Sequence, residues 1–231
     1  VSHAADGRVT IWSSSQGQFM VRAMTSLLTG IPQSNIRAIP AEIGGGFGAK
    51  TIVYLEPVAV MLSKKSGRPV KIVMTRDEVQ RATGPAPGSL MTVKIGAKKD
   101  GTLVAAQGTF YLQAGGLPGS PLRGPVGCSF AAYAIPNSTG YDVVSNRSKV
   151  AAYRAPGAPH GAFATESVLD EIAEKLGLDP LDMRVRNSAK PGDKAIYGAT
   201  FGYVTFVEPM DAIRKHPHYK APLDKNPRPG V

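Results

Sequence analysis

The chain has a single cysteine, Cys128, among its 231 residues. One thiol excludes an internal disulfide framework, a four-thiolate zinc site and a cysteine-ligated iron–sulfur cluster within this chain. No apolar run approaches the ~18 residues that a membrane helix needs, so we expect no membrane span. The sequence begins at Val1 without a signal-peptide pattern, and we expect a fragment. With 42 % apolar residues and no low-complexity run, it indicates a folded globular protein.

Glycine and proline are plentiful, at 26 and 19 residues, which predicts many tight turns and close backbone approaches. Lysine and arginine outnumber aspartate and glutamate by 27 to 17, for a formal net charge of +10. A basic nucleic-acid-binding domain is therefore one hypothesis. However, the basic residues are scattered, and no RNP, helix-turn-helix or zinc-finger pattern is present. We favour a solvated basic surface, or one that meets an acidic partner chain.

Hydrophobic patterning in the first part of the chain predicts strands alternating with helices. The predicted strands span residues 9–14, 35–43 and 69–76, and the predicted helices span 16–28 and a segment that has Pro57 in its first turn and ends at Gly67. We expect each helix to turn an apolar stripe toward the core, and the stripe residues are Met20, Ala23, Met24, Leu27 and Leu28 in the first helix and Val58, Ala59 and Leu62 in the second.

The second part of the chain begins with a predicted hairpin over 90–98 and 102–113, closed by Asp100-Gly101. There follow a loop over 115–127, a strand over 141–145, an amphipathic helix over 161–176 and a short helix from Asp179-Pro180 to Asn187. Strands and helices mixed with a hairpin indicate an α+β, or mixed α/β, fold.

Three segments carry residues suited to ligand binding or catalysis. Three consecutive glycines in the loop 44–50 (Gly-Gly-Gly-Phe-Gly-Ala-Lys) can aim backbone N–H groups at an anion, with a purely structural turn as the alternative. Arg154, in a proline-containing loop, offers a preorganised fork of donors, although a structural arginine that binds carbonyls is the more common case. Gln16 lies at a predicted helix start, where a capping network is the alternative to ligand contact.

The order and spacing of these segments are more specific than any one segment. The motifs are Ser-Ser-Gln16-Gly-Gln, the loop 44–50, Gly67-Arg-Pro-Val-Lys with Arg76, Ile-Pro-Asn137, Tyr-Arg154-Ala-Pro-Gly and a helix with Glu166 that leads to Asp-Pro180. Over about residues 9–215 this pattern resembles the molybdenum-binding subunit of the xanthine dehydrogenase/aldehyde oxidase family of molybdenum hydroxylases, in the first half of its cofactor-binding region. The resemblance implies a molybdopterin-binding domain over 1–215, as one unit or as two lobes at about 1–115 and 116–215, and a basic proline-rich tail over 216–231.

The resemblance also implies roles for individual residues. Gln16 and Arg154 match catalytic residues beside the molybdenum centre, and no side chain is expected to bind the metal directly. The glycines of the loop allow close approach of the backbone because they have no side chain. The residues expected to bind the cofactor are Gln16, Gly45, Gly46, Phe47, Gly48 and Arg154. Those expected to line the substrate pocket are Phe47, Ala155 and Pro156.

Several positions depart from particular members of the family. Ala155 stands where carbon monoxide dehydrogenases carry a copper-binding cysteine, which argues against carbon monoxide chemistry. Thr51 stands where purine-oxidising members carry a glutamate, and the phenylalanine that they place near Pro156 is missing, which weakens a xanthine assignment. No residue matches the family's catalytic glutamate. We therefore assign that role to neither Glu56 nor Glu166, and we expect Glu166 to be a solvent or interface residue.

For the whole enzyme, the resemblance implies a molybdenum-dependent oxidoreductase that oxidises an aldehyde or N-heterocyclic carbon with water as the oxygen source. The cofactor would be molybdopterin as its cytosine dinucleotide, shared with a second molybdopterin-binding chain or domain. Iron–sulfur clusters and FAD are expected on partner chains, in a cytoplasmic heteromer or one exported to the periplasm with a partner subunit. Nicotinate-like heterocycles or an aromatic thioester are alternative substrates, and a non-catalytic scaffold half that binds partner subunits is the alternative function.

Overall fold

The computed structural model describes residues 1–117, 119–135, 139–144, 146–195 and 198–221, and it divides into two compact units. Asn137 of the predicted motif, and residues 222–231 of the predicted tail, lie outside the described residues. The predicted domain boundary at residue 215 stays a prediction. Unit 1 comprises Val1–Gly88, Leu112–Pro121 and Asp142–Pro156, and unit 2 comprises Ser89–Tyr111, Leu122–Tyr141 and the chain from Gly157 onward. Helices and strands occur together, which confirms the α+β class.

Unit 1 contains a three-stranded sheet in the order β1-β2-β3. Its strands are Ser2–His3, Val9–Ser13 and Ile36–Pro40. Strand β1 pairs antiparallel with β2, and β2 pairs parallel with β3 in a register that sets Val9 opposite Ile36. Helix α1, Gln18–Thr29, makes the crossover that a parallel pair requires. Gly30 ends α1 in the left-handed conformation, as the sequence predicts.

Unit 1 also contains two further α-helices, α2 at Glu56–Ser66 and α3 at Arg76–Ala82. Helix α1 packs against β3 and α2, and α2 also packs against β1 and β2. The strand predicted over 69–76 is wrong. Thr75 Oγ1 accepts the Glu78 N–H, and the Glu78 carboxylate accepts the Thr75 N–H, so a capping box starts a helix at Arg76. The unit is centred on a core of Val9, Ile11, Val21, Ile31, Ile36 and Val60.

The predicted orientation of the two helices is largely wrong. Helix α1 buries Val21 and Thr25, whereas most of its apolar stripe faces solvent, with Leu27 75 % exposed. Helix α2 buries Ala59, as predicted, together with Val60 and Ser63. Both helices lay mainly small or β-branched side chains against their neighbours in unit 1, and the larger side chains are left on the outside. The exposed apolar residues of these helices are Phe19, Met20, Leu27, Leu28, Val58, Met61 and Leu62, which we call the outer stripe.

The second sheet has the order β4-β5-β6, formed by Ser89–Ala97, Leu103–Gly115 and Thr139–Val144. Strands β4 and β5 form the predicted hairpin. The Lys98 N–H donates to the Thr102 carbonyl oxygen at 2.8 Å, and Gly101 has a φ of 86°. Strand β5 belongs to unit 2 as far as Tyr111 and to unit 1 beyond it.

The helices of unit 2 include α4, part of which falls in the predicted loop 115–127, so the loop prediction is wrong there. Among the described residues of this unit, the α-helices are α4 at Arg123–Cys128, α5 at Ala158–Leu176, α6 at Pro180–Asn187 and α7 at Val207–Lys215. Close packing of α4 on α5 depends on Gly161, where a Cβ atom would lie 2.7 Å from the Pro125 Cα. The Asp179 carboxylate accepts the N–H groups of Leu181 and Asp182 and caps α6, as predicted.

Glu166 is paired inside unit 2 although 36 % of its side chain is exposed, so it is more than a solvent residue, and its predicted place at an interface stays a prediction. Its carboxylate accepts hydrogen bonds from the Tyr133 hydroxyl at 2.8 Å and from Arg184 Nε at 2.7 Å. Arg184 also forms an ion pair with Asp170 at 2.8 Å. Burial, with the adjacent Glu166 carboxylate, raises the pKa of Tyr133. This network lies at the edge of a core of Ala106, Phe130, Tyr133, Ile135, Leu169, Ala173 and Met183.

Candidate functional site

The glycine loop 44–50 connects β3 to the segment before α2 in unit 1. Gly44, Gly45 and Gly48 have φ values of 66°, 126° and 98°, a region that side chains other than glycine's rarely adopt. Phe47 has a φ of 50° despite its bulk. A non-glycine residue in this region costs about 1–2 kcal/mol, and such residues cluster at binding and catalytic sites.

The loop is held by the side chain of Gln16. Its Oε1 atom accepts the N–H of Gly48 at 2.9 Å and the N–H of Lys50 at 3.2 Å. The Gln16 N–H donates in turn to the Lys50 carbonyl oxygen at 2.8 Å. Because two backbone N–H groups bind Oε1, the amide NH2 group at Nε2 is the part of the side chain that remains to donate a hydrogen bond. It bonds to none of the residues that the structure describes.

Gly46 is the position at which a side chain is incompatible with this arrangement. A Cβ atom there would lie 2.5 Å from Gln16 Cδ and 2.7 Å from Gln16 Cγ, distances that non-bonded carbon atoms do not tolerate. The N–H groups of Gly45, Gly46 and Phe47 donate to no atom of the described residues. Successive backbone N–H groups without partners are the form that an anion-binding loop takes.

Arg154 meets the glycine loop through main-chain atoms. Its N–H donates to the Phe47 carbonyl oxygen at 2.7 Å. A Cβ atom on Gly48 would lie 3.1 Å from the Ala152 carbonyl oxygen, so the two segments are in close contact there as well. The Arg154 side chain is exposed and makes no ion pair within the described part of the chain. Ala155 has a φ of 54°, the second non-glycine residue with positive φ.

The segment leading to Arg154 is fixed by backbone contacts inside unit 1. The Val150 N–H donates to the Ala114 carbonyl oxygen, and the Ala151 N–H donates to the Pro85 carbonyl oxygen, both at 3.1 Å. A Cβ atom on Gly115 would lie 2.6 Å from the Lys149 Cα, so only glycine permits this approach. The loop that carries Arg154 therefore starts from an anchored point.

The structure brings most of the predicted site residues together. Gln16, Gly46 and Gly48 are in direct contact, and Phe47 is bonded to Arg154. Phe47, Ala155 and Pro156, the predicted pocket residues, are exposed, Phe47 by 61 %.

Sequence reasoning missed two contacts. The backbone of Lys50 forms hydrogen bonds with Gln16, and the backbone of Ala152 lies close to Gly48. No local pattern identifies these two partners, because each lies far along the chain from the residue that it contacts.

Glu56, the nearest carboxylate after the loop along the chain, is already engaged. It accepts hydrogen bonds from the Ser13 hydroxyl and from the Tyr54 N–H. Among the residues described, no group of three His, Cys, Asp or Glu side chains could hold a metal ion. None of the described helices is both long and apolar enough to cross a membrane.

The profile of the family described as "molybdopterin cofactor-binding domain" matches residues 1–188. The chain belongs to this family. It is 36 % identical over 209 residues to the xanthine dehydrogenase molybdenum-binding subunit of Escherichia coli O157:H7, which covers 84 % of this chain and 27 % of the relative. The resemblance found in the sequence is confirmed, and with it the family of molybdoenzymes to which the chain is related.

Solved structures agree with this assignment. The aldehyde oxidoreductase from Desulfovibrio gigas matches with a TM-score of 0.85 at 32 % identity, over 95 % of this chain and 24 % of that one. Quinoline 2-oxidoreductase from Pseudomonas putida 86 matches with a TM-score of 0.86 at 25 % identity, over 93 % of this chain and 29 % of that one. The chain thus spans about a quarter of the length of these relatives.

The residues present fit a molybdopterin group. The free N–H groups of the glycine loop, the Gln16 amine and the Arg154 guanidinium are all donors, and such a set suits the phosphate and the carbonyl edges of a pterin. The contact between Gly46 and Gln16 keeps the loop backbone close to that amine. Glu56, the first carboxylate after the loop, takes no part in these contacts, since it is held by Ser13 and Tyr54.

Proposed function

We propose that this chain holds one side of the molybdenum-pterin cofactor of a molybdenum hydroxylase. The observation that carries the proposal is the state of Gln16. Two backbone N–H groups bind its amide oxygen. Its amide NH2 group is therefore a fixed donor beside three unpartnered N–H groups of the loop. Successive N–H groups without protein partners, next to a donor that is fixed in place, are the form that an anion-binding loop takes. Membership of a molybdopterin-binding family supports the same conclusion.

In the proposed site each residue has a defined task. The N–H groups of Gly45, Gly46 and Phe47 would bind the cofactor, and Gln16 Nε2 would donate to an oxygen atom near the metal. The Arg154 guanidinium would orient the substrate or balance negative charge next to it. When bound, the cofactor supplies the two-electron chemistry by which an electron-poor carbon gains an oxygen atom from water. The contribution of this chain is positioning and electrostatics.

The substrate class that we propose is an aldehyde or an N-heterocycle. Phe47, Ala155 and Pro156 are exposed beside the proposed cofactor site, where they would form one wall of a pocket. Ala155 offers no thiol for copper, and Thr51 offers no carboxylate for a purine. Relatives named aldehyde oxidoreductase and quinoline 2-oxidoreductase support these two substrate classes.

We further propose that the general base and the rest of the cofactor site come from a second molybdopterin-binding chain or domain. The outer stripe on α1 and α2 supports this, because a monomer rarely leaves so many apolar side chains of adjacent helices in water. The chain spans about a quarter of the length of its relatives. We therefore propose that the outer stripe packs against the additional part of the polypeptide that those relatives contain. The proposal also includes molybdopterin cytosine dinucleotide as the form of the cofactor. It further includes partner chains that carry iron–sulfur clusters and FAD, and a cytoplasmic location.

The first experiment is metal, pterin and nucleotide analysis of the chain purified from its host with the chains that accompany it. We expect one molybdenum and one pterin per chain, with cytosine nucleotide released on hydrolysis and iron on the partners. Gln16→Ala should lower turnover by about tenfold or more, the cost of one lost transition-state hydrogen bond. Gln107→Ala, an exposed amide in unit 2, is the matched control. A complete assembly without molybdenum would refute the proposal.

A non-catalytic scaffold is the second candidate, and the outer stripe favours it as much as it favours a shared active site. Arg154→Ala distinguishes the two. In a catalytic half the variant assembles normally, because the Phe47–Arg154 bond uses main-chain atoms, but it loses turnover. In a scaffold the variant assembles normally and turnover of the complex is unchanged.

A further inference from the structure

Lys50 closes the glycine loop on itself. Its Nζ atom donates to the Ile43 carbonyl oxygen at 2.6 Å, and Ile43 and Lys50 stand on the two sides of the run Gly44–Ala49. A hydrogen bond from a charged donor is worth more than one between neutral groups, and here it joins the two ends of a segment rich in glycine. Without it the loop would have more conformational freedom, because glycine restricts the backbone least.

The backbone of the same residue holds Gln16 from both sides. The Lys50 N–H donates to Gln16 Oε1 at 3.2 Å, and the Lys50 carbonyl oxygen accepts the Gln16 N–H at 2.8 Å and the Ser15 hydroxyl at 3.1 Å. The position of Lys50 therefore determines where the Gln16 amide lies. One residue thus links the closure of the loop to the orientation of the amide.

We infer that Lys50 is a positioning residue of the proposed site. The Lys50 ammonium group closes the loop, and the Lys50 backbone then orients the amide NH2 group of Gln16. This inference rests on the proposed function for its catalytic consequence but not for its structural one. The side chain acts on the site through Gln16, and it does so through a bond to a carbonyl oxygen that methionine cannot make.

The structural part is tested on the chain itself by amide hydrogen exchange. In Lys50→Met we expect amide hydrogen exchange at the N–H groups of positions 48 and 50 to be about tenfold faster, because one charge-assisted hydrogen bond is lost. Lys50→Arg should restore slow exchange, because a guanidinium can also donate to Ile43. Lys65→Met removes an exposed lysine of α2 and should change nothing. Wild-type exchange rates in Lys50→Met would overturn the inference.

The catalytic part is tested in the native assembly. We expect Lys50→Met to retain molybdenum and pterin but to alter the electron paramagnetic resonance signal of the molybdenum and to lower kcat about tenfold. Lys50→Arg should recover both signal and rate. The double variant with Gln16→Ala should be no slower than Gln16→Ala alone, since both changes remove one effect. Additive losses would overturn the inference.

The two proposals fail in different ways. If the wild-type assembly holds no molybdenum, the proposed function is wrong, while the exchange experiment still decides what Lys50 does. If molybdenum is present and the exchange rates do not respond to Lys50→Met, the function stands and the role of Lys50 is wrong.

Discussion

The two units use their charged side chains differently. In unit 2, Arg184 is paired with Glu166 and Asp170, and Arg214 with Asp182. Unit 1 contains thirteen Lys and Arg residues against six Asp and Glu. Its ion pairs within the described residues are exposed ones, Arg8–Asp6 and Arg81–Asp77. Unit 2 thus pairs an arginine whose side chain is largely buried, whereas the ion pairs of unit 1 lie at its surface and its basic residues outnumber its acidic ones by about two to one.

Backbone conformation follows the same division. The non-glycine residues with positive φ in the described parts of the chain, Phe47 and Ala155, lie in unit 1, in loops joined by a hydrogen bond. The positive-φ positions that the structure describes in unit 2 are glycines, such as the helix end at Gly177. Non-glycine residues with positive φ and N–H groups without partners thus occur together in unit 1, the combination that we expect of the proposed cofactor site.

The largest effect that we expect comes from the paired network of unit 2. Arg184→Met leaves Glu166 and Asp170 without their cation, and the Arg184 side chain is only 13 % exposed. The free energy of unfolding should fall by about 2–3 kcal/mol, the range for a broken half-buried pair. Thermal melting should drop by about 5–10 °C.

The matched control in unit 1 is Arg81→Met, which removes an exposed pair with Asp77. It should cost less than about 0.5 kcal/mol. Equal shifts in the two variants would remove the distinction between the units.

The second prediction concerns Gly46 in unit 1. In Gly46→Ala the new Cβ displaces the Gln16 side chain, so the loop loses its two bonds to Oε1. We expect a loss of about 1–3 kcal/mol in stability and cofactor retention at least tenfold weaker. Gly202→Ala, where a Cβ would meet open space, should retain the cofactor and melt within about 2 °C of the wild type. Full molybdenum retention in Gly46→Ala would contradict this prediction.

The third prediction measures the strain at Ala155. Ala155→Gly relieves the positive φ, a gain of about 1–2 kcal/mol, which the entropy of glycine offsets by about 0.5–1 kcal/mol. The variant should therefore melt about 1–3 °C higher than the wild type. Ala5→Gly, at a position with negative φ in the same unit, should melt slightly lower. A lower melting temperature in both variants would show that Ala155 is unstrained.

The smallest effect concerns pH and unit 2. The hydrogen bond from the Tyr219 hydroxyl to Asp179 raises the pKa of Tyr219 to about 12. The folded state therefore favours the neutral phenol, and its contribution to stability is present below pH ~10 and lost as the pH rises through about 12. Ultraviolet titration should show a phenol ionisation near pH 12 that Tyr219→Phe removes. An unchanged titration curve would place that ionisation elsewhere.

Local signals allowed much of the fold to be predicted. Gly30 and Gly67 end helices, Asp179 caps one and Asp100-Gly101 closes a hairpin, because each acts within a few residues. The orientation of α1 could not be predicted, since periodicity defines a stripe and not what covers it. Most of the stripe that was expected inside faces solvent.

The candidate site divides in the same way. The resemblance pointed to Gln16, Phe47 and Arg154 as residues, but not to the bonds among them. Those bonds run from Gln16 to Lys50 and from Phe47 to Arg154, between positions far apart in the chain, and they become visible only when the chain is folded.

The bond between Phe47 and Arg154 has a consequence for how such sites diversify. It uses the main-chain atoms of both residues, so it persists whichever side chains occupy positions 47 and 154. The neighbouring Ala155 and Thr51 can then be exchanged while the frame beneath them stays in place. Selection can retune which molecules such a pocket accepts by single replacements at its rim, without first having to invent a new way of holding the loop.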